Sequence, residues 1–141
     1  MKIISCDVIG TPASQGSLVK SRYGMRYTNQ SELMSWRQDL INSLLIAKPD
    51  EWEIDLAYSV SCEFRFVRPK GHYGKKGLLP SAPEYKTTKI DLDKAMRALG
   101  DAIERSGLVR NDSQIIHWAA SKRYCDNGES PGVSITLSSQ P

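Results

Sequence analysis

Two aspartates separated by one residue are the first candidates for chemistry in this chain. Asp91 and Asp93 stand in residues 89–94, Lys-Ile-Asp-Leu-Asp-Lys, where an irregular basic stretch gives way to a helical pattern. On a regular helix, side chains two apart point about 200° away from each other, but the backbone is not yet regular where a helix begins. Both carboxylates could therefore turn towards one Mg²⁺, which prefers oxygen ligands. The alternative is that either aspartate only caps the helix.

A third acid, Asp112, follows the predicted helix in the polar sequence Asn-Asp-Ser at 111–113. The helix between the two acidic points is about 14 residues, or about 21 Å, long. Asp112 can therefore meet Asp91 only if the chain turns, for example at Gly107, and runs back along the helix. The alternative is an ordinary polar turn before a strand.

The helix after the aspartates is predicted over 92–106, and Gly107 is a natural stop. Lys94 and Arg97 are three residues apart, so both can lie beside the acids and stabilise negative charge on a bound group. The alternative is a solvated face on which Arg97 pairs with Asp93 and Asp101. The stripe predicted to be buried is Leu92, Ala95, Met96, Leu99, Ala102 and Ile103.

Positive charge is concentrated in two stretches that lack helix or strand periodicity. Residues 13–29 are predicted to form a long loop, or a ragged hairpin around Tyr23-Gly24-Met25. Residues 69–89 are rich in Pro and Gly, so regular structure is improbable there. A basic loop as long as the second stretch is uncommon unless it binds something or is disordered, and the alternative to binding is a solubilising loop. The candidate binding residues of the two basic stretches are Lys20, Arg22, Arg26, Lys70, His72, Lys75, Lys76, Lys86 and Lys89.

The remaining periodicity predicts an α+β fold, with a small mixed or antiparallel sheet of about four strands packed with two main helices. Strands are predicted at 2–9, 56–68, 114–124 and 133–137, and the turn at 126–128 suggests a hairpin between the last two. A first helix is predicted over 31–47. Its apolar stripe is Leu33, Trp36, Leu40, Leu44 and Leu45.

Length and composition limit the remaining possibilities. The 141 residues, of which 40% are hydrophobic, suit one domain over 1–141. No apolar run approaches the ~20 residues that cross a bilayer, and an early acid, Asp7, argues against a signal peptide. We therefore expect a cytoplasmic protein. Three cysteines without a CxxC pair argue against a zinc or disulfide framework.

Residues 89–102 followed by 108–116 resemble the signature of the RusA-type crossover-junction endodeoxyribonucleases. That signature is an Asp-x-Asp followed by a basic residue and an Asp-Ala on the helix, then an Asp-Asp-x-Gln-Val-like run. The Gly-Thr-Pro at 10–12 resembles the family's opening, and residues 72–74 and 81–83 are similar to phage members. The resemblance covers nearly the whole chain.

This resemblance implies a RusA-like fold and a homodimer that resolves Holliday junctions by paired phosphodiester hydrolysis with Mg²⁺, for which Mn²⁺ could substitute. It also implies a role in DNA recombination and repair, in a bacterial host cell, for a phage or prophage protein. By position, Asp91, Asp93 and Asp112 match the family's metal-binding catalytic acids, and Arg97 matches a functional lysine or arginine. Lys94 occupies the position after the second Asp. With DNA as the substrate that the resemblance implies, the candidate binding residues of the two basic stretches are expected to bind DNA phosphates.

Two departures from the family pattern leave alternatives open. Ile90 stands where many phage members have Pro, and Asn111 replaces the first acid of the Asp-Asp pair. One alternative is a metal-dependent nuclease for other branched or flapped phage DNA. Another is a DNA-binding dimer whose acidic site has lost catalysis.

Overall fold

The computed structural model describes residues 1–15, 18–27 and 30–141. It confirms the predicted α+β class, with two helices and a mixed four-stranded sheet. The strands are β1 (Ile3–Ile9), β2 (Leu18–Ser21), β3 (Gly24–Tyr27), β4 (Tyr58–Phe66), β5 (Tyr73–Gly74), β6 (Gly77–Leu78), β7 (Ile115–Tyr124) and β8 (Gly132–Ser139). The helices are α1 (Gln30–Ala47) and α2 (Leu92–Arg105).

The four-stranded sheet has the order β1-β8-β4-β7, with β4 parallel to β7 and antiparallel to β8. The predicted hairpin between the last two strands is therefore wrong, because β4 lies between them. The predicted turn is present, since the Glu129 amide donates to the Asp126 carbonyl at 3.0 Å. However, the connection over 125–131 is long enough to carry the chain across the end of β4, where the Cys125 amide donates to the Phe66 carbonyl at 2.8 Å.

The alternation predicted for β4 is confirmed, because one set of its side chains is buried in the core: Tyr58, Val60, Cys62, Phe64 and Phe66. The exception lies on the opposite face. Arg65 is only 3% exposed, and its guanidinium forms an ion pair with Asp7 at 2.8 Å and donates to the Ser134 hydroxyl at 2.9 Å. A charge this deeply buried is tolerated because it is paired and hydrogen-bonded.

The two helices pack against each other, α1 also against β1 and α2 also against β7. The apolar stripe of α2 is buried or packed against the core as predicted. In α1, Leu33, Trp36, Leu40 and Leu44 are buried, but Leu45 is 44% exposed. Leu45 follows Leu44 by one residue, which turns it about 100° away from the stripe. Neither helix in the described ranges is both long and apolar enough to span a bilayer.

Both stretches predicted to be irregular contain short hairpins. β2 and β3 pair antiparallel around a turn at 22–23, which agrees with the hairpin alternative for 13–29. In the segment 69–89, a 3-10 turn at Lys70–His72 is followed by the two-residue strands β5 and β6. The expectation that this segment lacks regular structure was therefore wrong over 70–78. Gly77, at φ +102°, allows the tight turn.

Candidate active site

A small cleft lies between α2 and β7, and two of the three predicted acids open into it. Asp93 stands in the first turn of α2, whereas Asp112 begins a 3-10 turn just before β7. Both residues are exposed. The cleft has a volume of about 230 Å³ and is lined by Asp93, Met96, Arg97, Gly100, Asp112, Ile115 and Trp118.

The chain brings Asp112 back to the helix in the way that the sequence required. Gly107, which follows the C-cap residue Ser106 of α2, adopts a positive φ of +81° and reverses the direction of the chain. The Asp112 amide then donates to the Glu104 carboxylate at 2.9 Å, which holds the returning segment against α2. Asp112 consequently faces Asp93 and Arg97 across the cleft, although 18 residues separate the two acids in sequence.

The acids of the cleft are not used in the fold. Within the described part of the chain, the carboxylates of Asp93 and Asp112 have no hydrogen-bond or ion-pair partner, and neither does the guanidinium of Arg97. Asp91 is the N-cap of α2 and lies outside the cleft lining, with its carboxylate 3.7 Å from the Lys94 ammonium. The carboxylates of Asp93 and Asp112 and the guanidinium of Arg97 therefore remain available to a ligand.

The alternative in which Arg97 pairs with Asp101 is not what the structure shows. The Asp101 carboxylate lies 3.0 Å from Arg37 Nε on α1 and accepts a hydrogen bond from Arg105 at 2.8 Å. These contacts join the two helices and give the Asp101 carboxylate two cationic partners. Arg97 points into the cleft instead.

Asn111, one of the two departures from the family pattern, has a structural role. Its side-chain oxygen accepts a hydrogen bond from the Ser113 amide at 2.9 Å, and Gln114 completes a capping box by accepting from the Asn111 amide at 3.1 Å. Asn and Asp are equally good at such a cap, and Asn111 does not line the cleft. The departure therefore alters a turn and leaves the acid of the cleft in place.

The donor set suits a divalent metal that also uses water and substrate as ligands. Among the residues that the structure describes, no three His, Cys, Asp or Glu side chains lie close enough to hold a metal by themselves. Mg²⁺, however, is usually held by one or two carboxylates together with waters and phosphate oxygens. The unpartnered carboxylates of Asp93 and Asp112, both in one cleft, fit that mode of binding.

The predicted DNA-binding cations on the first hairpin lie away from the core. Lys20 is exposed on β2, and Arg22 lies in the turn with its guanidinium 5.6 Å from the ring centroid of Tyr23. Arg26 is in β3, but its side chain lies outside what the structure describes.

The remaining predicted cations lie on the segment 69–89, which leads directly to Asp91. Lys70, Lys75, Lys76 and Lys89 are exposed. His72 and Lys86 pack on Tyr124, at 4.8 Å between ring centroids for His72 and 5.4 Å from the Lys86 ammonium to the ring centroid. The segment is therefore tied to the end of β7 at Tyr124, and it presents most of its lysines to solvent.

Sequence reasoning missed the walls of the cleft and two anchoring cations. Gly100 and Trp118 come from different elements, and no local pattern shows that they meet. Arg68 donates to the Pro83 and Cys125 carbonyls, at 2.6 and 3.1 Å. Lys122 donates to the carbonyls of Thr88 and Ile90, shortly before Asp91 in the sequence. A cation at a core-facing position of a strand was the available signal for Lys122.

Comparison with known protein families shows to which family the chain belongs. The sequence model described as endodeoxyribonuclease RusA matches residues 10–138 of the 141. The chain belongs to the RusA endodeoxyribonuclease family. A search of curated proteins gave no significant match. The predicted membership of this family is therefore confirmed. RusA proteins are hydrolases that cut DNA at Holliday junctions and in general depend on a divalent metal.

Proposed function

We propose that this RusA protein is a Mg²⁺-dependent, structure-selective endonuclease that resolves four-way DNA junctions by paired phosphodiester hydrolysis. The observation that carries the proposal is the cleft shared by Asp93, Asp112 and Arg97, whose charged groups have no partner in the described ranges. Unpaired carboxylates repel each other and contribute little to folding. Their convergence from two distant segments is better explained by binding and catalysis.

The acids are proposed to hold the metal. Asp93 and Asp112 would be two ligands from the walls of the cleft, and Asp91, exposed at the start of α2, is proposed as the third. The chemistry that a bound divalent cation supplies is neutralisation of the phosphate charge and activation of the attacking water. Mn²⁺ accepts the same oxygen ligands and is proposed as a substitute.

Arg97 and Lys94 are proposed to act on the phosphate. The Arg97 guanidinium lines the cleft with the acids, so it can donate to phosphate oxygens and stabilise the charge that develops in the transition state. Lys94 lies one turn away and pairs with Asp91 at 3.7 Å. A phosphate beside Asp91 would offer that ammonium a second anionic partner.

The basic residues are proposed to bind the arms of the junction. The segment 69–89, which carries the lysines, lies just before Asp91 in the sequence. It is held on β7 by the hydrogen bond from the Tyr124 amide to the Glu84 carbonyl at 3.0 Å. Cations on the DNA-binding surface would offset the repulsion between carboxylates and DNA. A homodimer, also part of this proposal, would place two such sites on one four-way junction.

A non-catalytic junction-binding protein is the second candidate. It is favoured by the absence, among the described residues, of three metal-ligating side chains in one group. The capping role of Asn111 argues against it, because the change from the family pattern did not remove a residue of the cleft.

The test is cleavage of an end-labelled four-way junction in Mg²⁺, in Mn²⁺ and in EDTA, with a flapped duplex and a plain duplex of the same sequence. We expect paired cuts in the junction that require metal, and loss of cutting in Asp93→Asn with junction binding retained. Tight binding without cuts would establish the binding protein. Equal cutting of plain duplex would rule out junction resolution, and preferred cutting of the flapped duplex would assign the alternative nuclease.

A further inference from the structure

Lys122 occupies a position on β7 where the alternation of the strand predicts an apolar side chain. Alternate residues of a strand face the same side, and Trp118, Ala120 and Tyr124 on this side are all packed in or against the core. The register partner of Lys122 on β4 is Phe64, which is fully buried. Lysine rarely stands among such neighbours unless its ammonium group is paired.

The ammonium of Lys122 binds the backbone directly before the acidic motif. Its Nζ donates to the Thr88 carbonyl at 2.8 Å and to the Ile90 carbonyl at 2.7 Å. The next residue, Asp91, is the N-cap of α2, and its own carbonyl accepts from the Lys94 and Ala95 amides at 3.1 Å each. Two charge-assisted hydrogen bonds therefore hold the backbone of residues 88–90 immediately before the first turn of the helix.

We propose that Lys122 is a positioning residue of the metal site, an inference that rests on the proposed function. The cleft has walls from α2 and β7, and Lys122 ties the start of α2 to the strand that contributes Trp118. Without this tie, the carbonyls of Thr88 and Ile90 lose their cation, and the last irregular residues before Asp91 lose their attachment to the sheet. The positions of the Asp91 and Asp93 carboxylates relative to Asp112 would then vary more.

The experiment compares Lys122→Met and Lys122→Arg with the matched control Lys48→Met, which changes an exposed lysine after α1. Mn²⁺ binding to the free protein is measured by calorimetry, and amide hydrogen exchange is followed over residues 88–95. Removing a group that orients metal ligands usually costs 10- to 100-fold in metal affinity or activity, so a loss of roughly that size is expected for Lys122→Met. Exchange over 88–95 should rise, and Lys48→Met should change neither quantity.

Lys122→Arg keeps a cation with several donors, so it should recover most of the Mn²⁺ affinity. This recovery separates loss of the tie from a general packing defect. Junction binding in EDTA should be the same for all three variants. Weaker junction binding with a salt slope reduced by about one would instead make Lys122 a phosphate contact and overturn the proposal, as would unchanged Mn²⁺ binding and exchange in Lys122→Met.

The two proposals fail in different ways. If the wild-type protein binds Mn²⁺ but cuts no junction, the proposed nuclease function is wrong, whereas the inference on Lys122 stands on the binding and exchange results. If the wild-type protein cuts junctions and Lys122→Met binds Mn²⁺ and cuts equally well, the inference on Lys122 alone is wrong.

Discussion

Asp112 and Asp101 make a matched pair of acids, and their amide variants should fail in opposite ways. Asp101 lies on α2 and Asp112 lies beside it. Asp112 opens into the cleft without a partner among the described residues, whereas Asp101 joins Arg37 of α1 to Arg105. Asp112→Asn should therefore abolish cleavage and leave the fold intact. Asp101→Asn should weaken the fold and leave cleavage intact.

The magnitudes follow from the surroundings. Breaking a buried ion pair costs about 3–5 kcal/mol, and an exposed pair contributes about 0.2–1 kcal/mol. The side chains of Asp101 and Arg37 are 23% and 12% exposed, so Asp101→Asn should cost about 1–3 kcal/mol. That corresponds to a Tm lower by roughly 3–10 °C. Asp112→Asn should change stability by less than about 0.5 kcal/mol.

For catalysis, loss of a metal-ligand carboxylate removes several kcal/mol of transition-state stabilisation, so the rate should fall by at least about 10³-fold. The assays are single-turnover cleavage of a labelled junction in Mg²⁺, junction binding in EDTA, and thermal unfolding of both variants. Normal cleavage by Asp112→Asn would refute the ligand assignment. Loss of cleavage in Asp101→Asn with an unchanged Tm would show that the wrong acid was assigned to the chemistry.

Three further outcomes are expected. Asp91→Asn should abolish cleavage yet keep or tighten junction binding, because it removes repulsion from the phosphates; a normal rate in the cleavage assay would contradict this. Gly132→Ala should lower stability in chemical denaturation by about 2–4 kcal/mol, since its Cβ would lie 1.9 Å from a β1 carbonyl oxygen at φ +154°. The control Gly100→Ala, whose Cβ meets only ordinary contacts, should gain about 0.5–1 kcal/mol, and equal shifts would refute the reasoning. Hydrogen bonds from Arg123 lower the pKa of Glu129 from 4.5 to about 2, so its contribution to stability is present above pH 4.5 and lost as the pH falls towards 2. The stability difference between wild type and Glu129→Gln, measured by urea unfolding, should shrink over that window; a constant difference would contradict the assignment.

Local periodicity was sufficient to predict both helices and the class of the fold. The observed α1 and α2 differ from the predicted 31–47 and 92–106 by one residue each, because helical hydrogen bonds and apolar stripes depend on residues three and four apart. The turn at Gly107 was also predictable from its neighbours. By contrast, the pairing of β8 with β1 and β4 joins residues at least 67 positions apart, and the turn at 126–128 alone pointed to the wrong partner.

The sequence by itself determined which residues could do the chemistry, since acids, cations and a family signature are properties of residue type and spacing. Only the tertiary structure decided which of them meet. It placed Asp93, Asp112 and Arg97 in one cleft, assigned Asp101 to the contact between the helices, and brought Lys122 beneath the start of α2. The physical reason is that a carboxylate acts through neighbours within a few ångströms, and here the chain must reverse direction and pack a helix on a sheet before those neighbours are present.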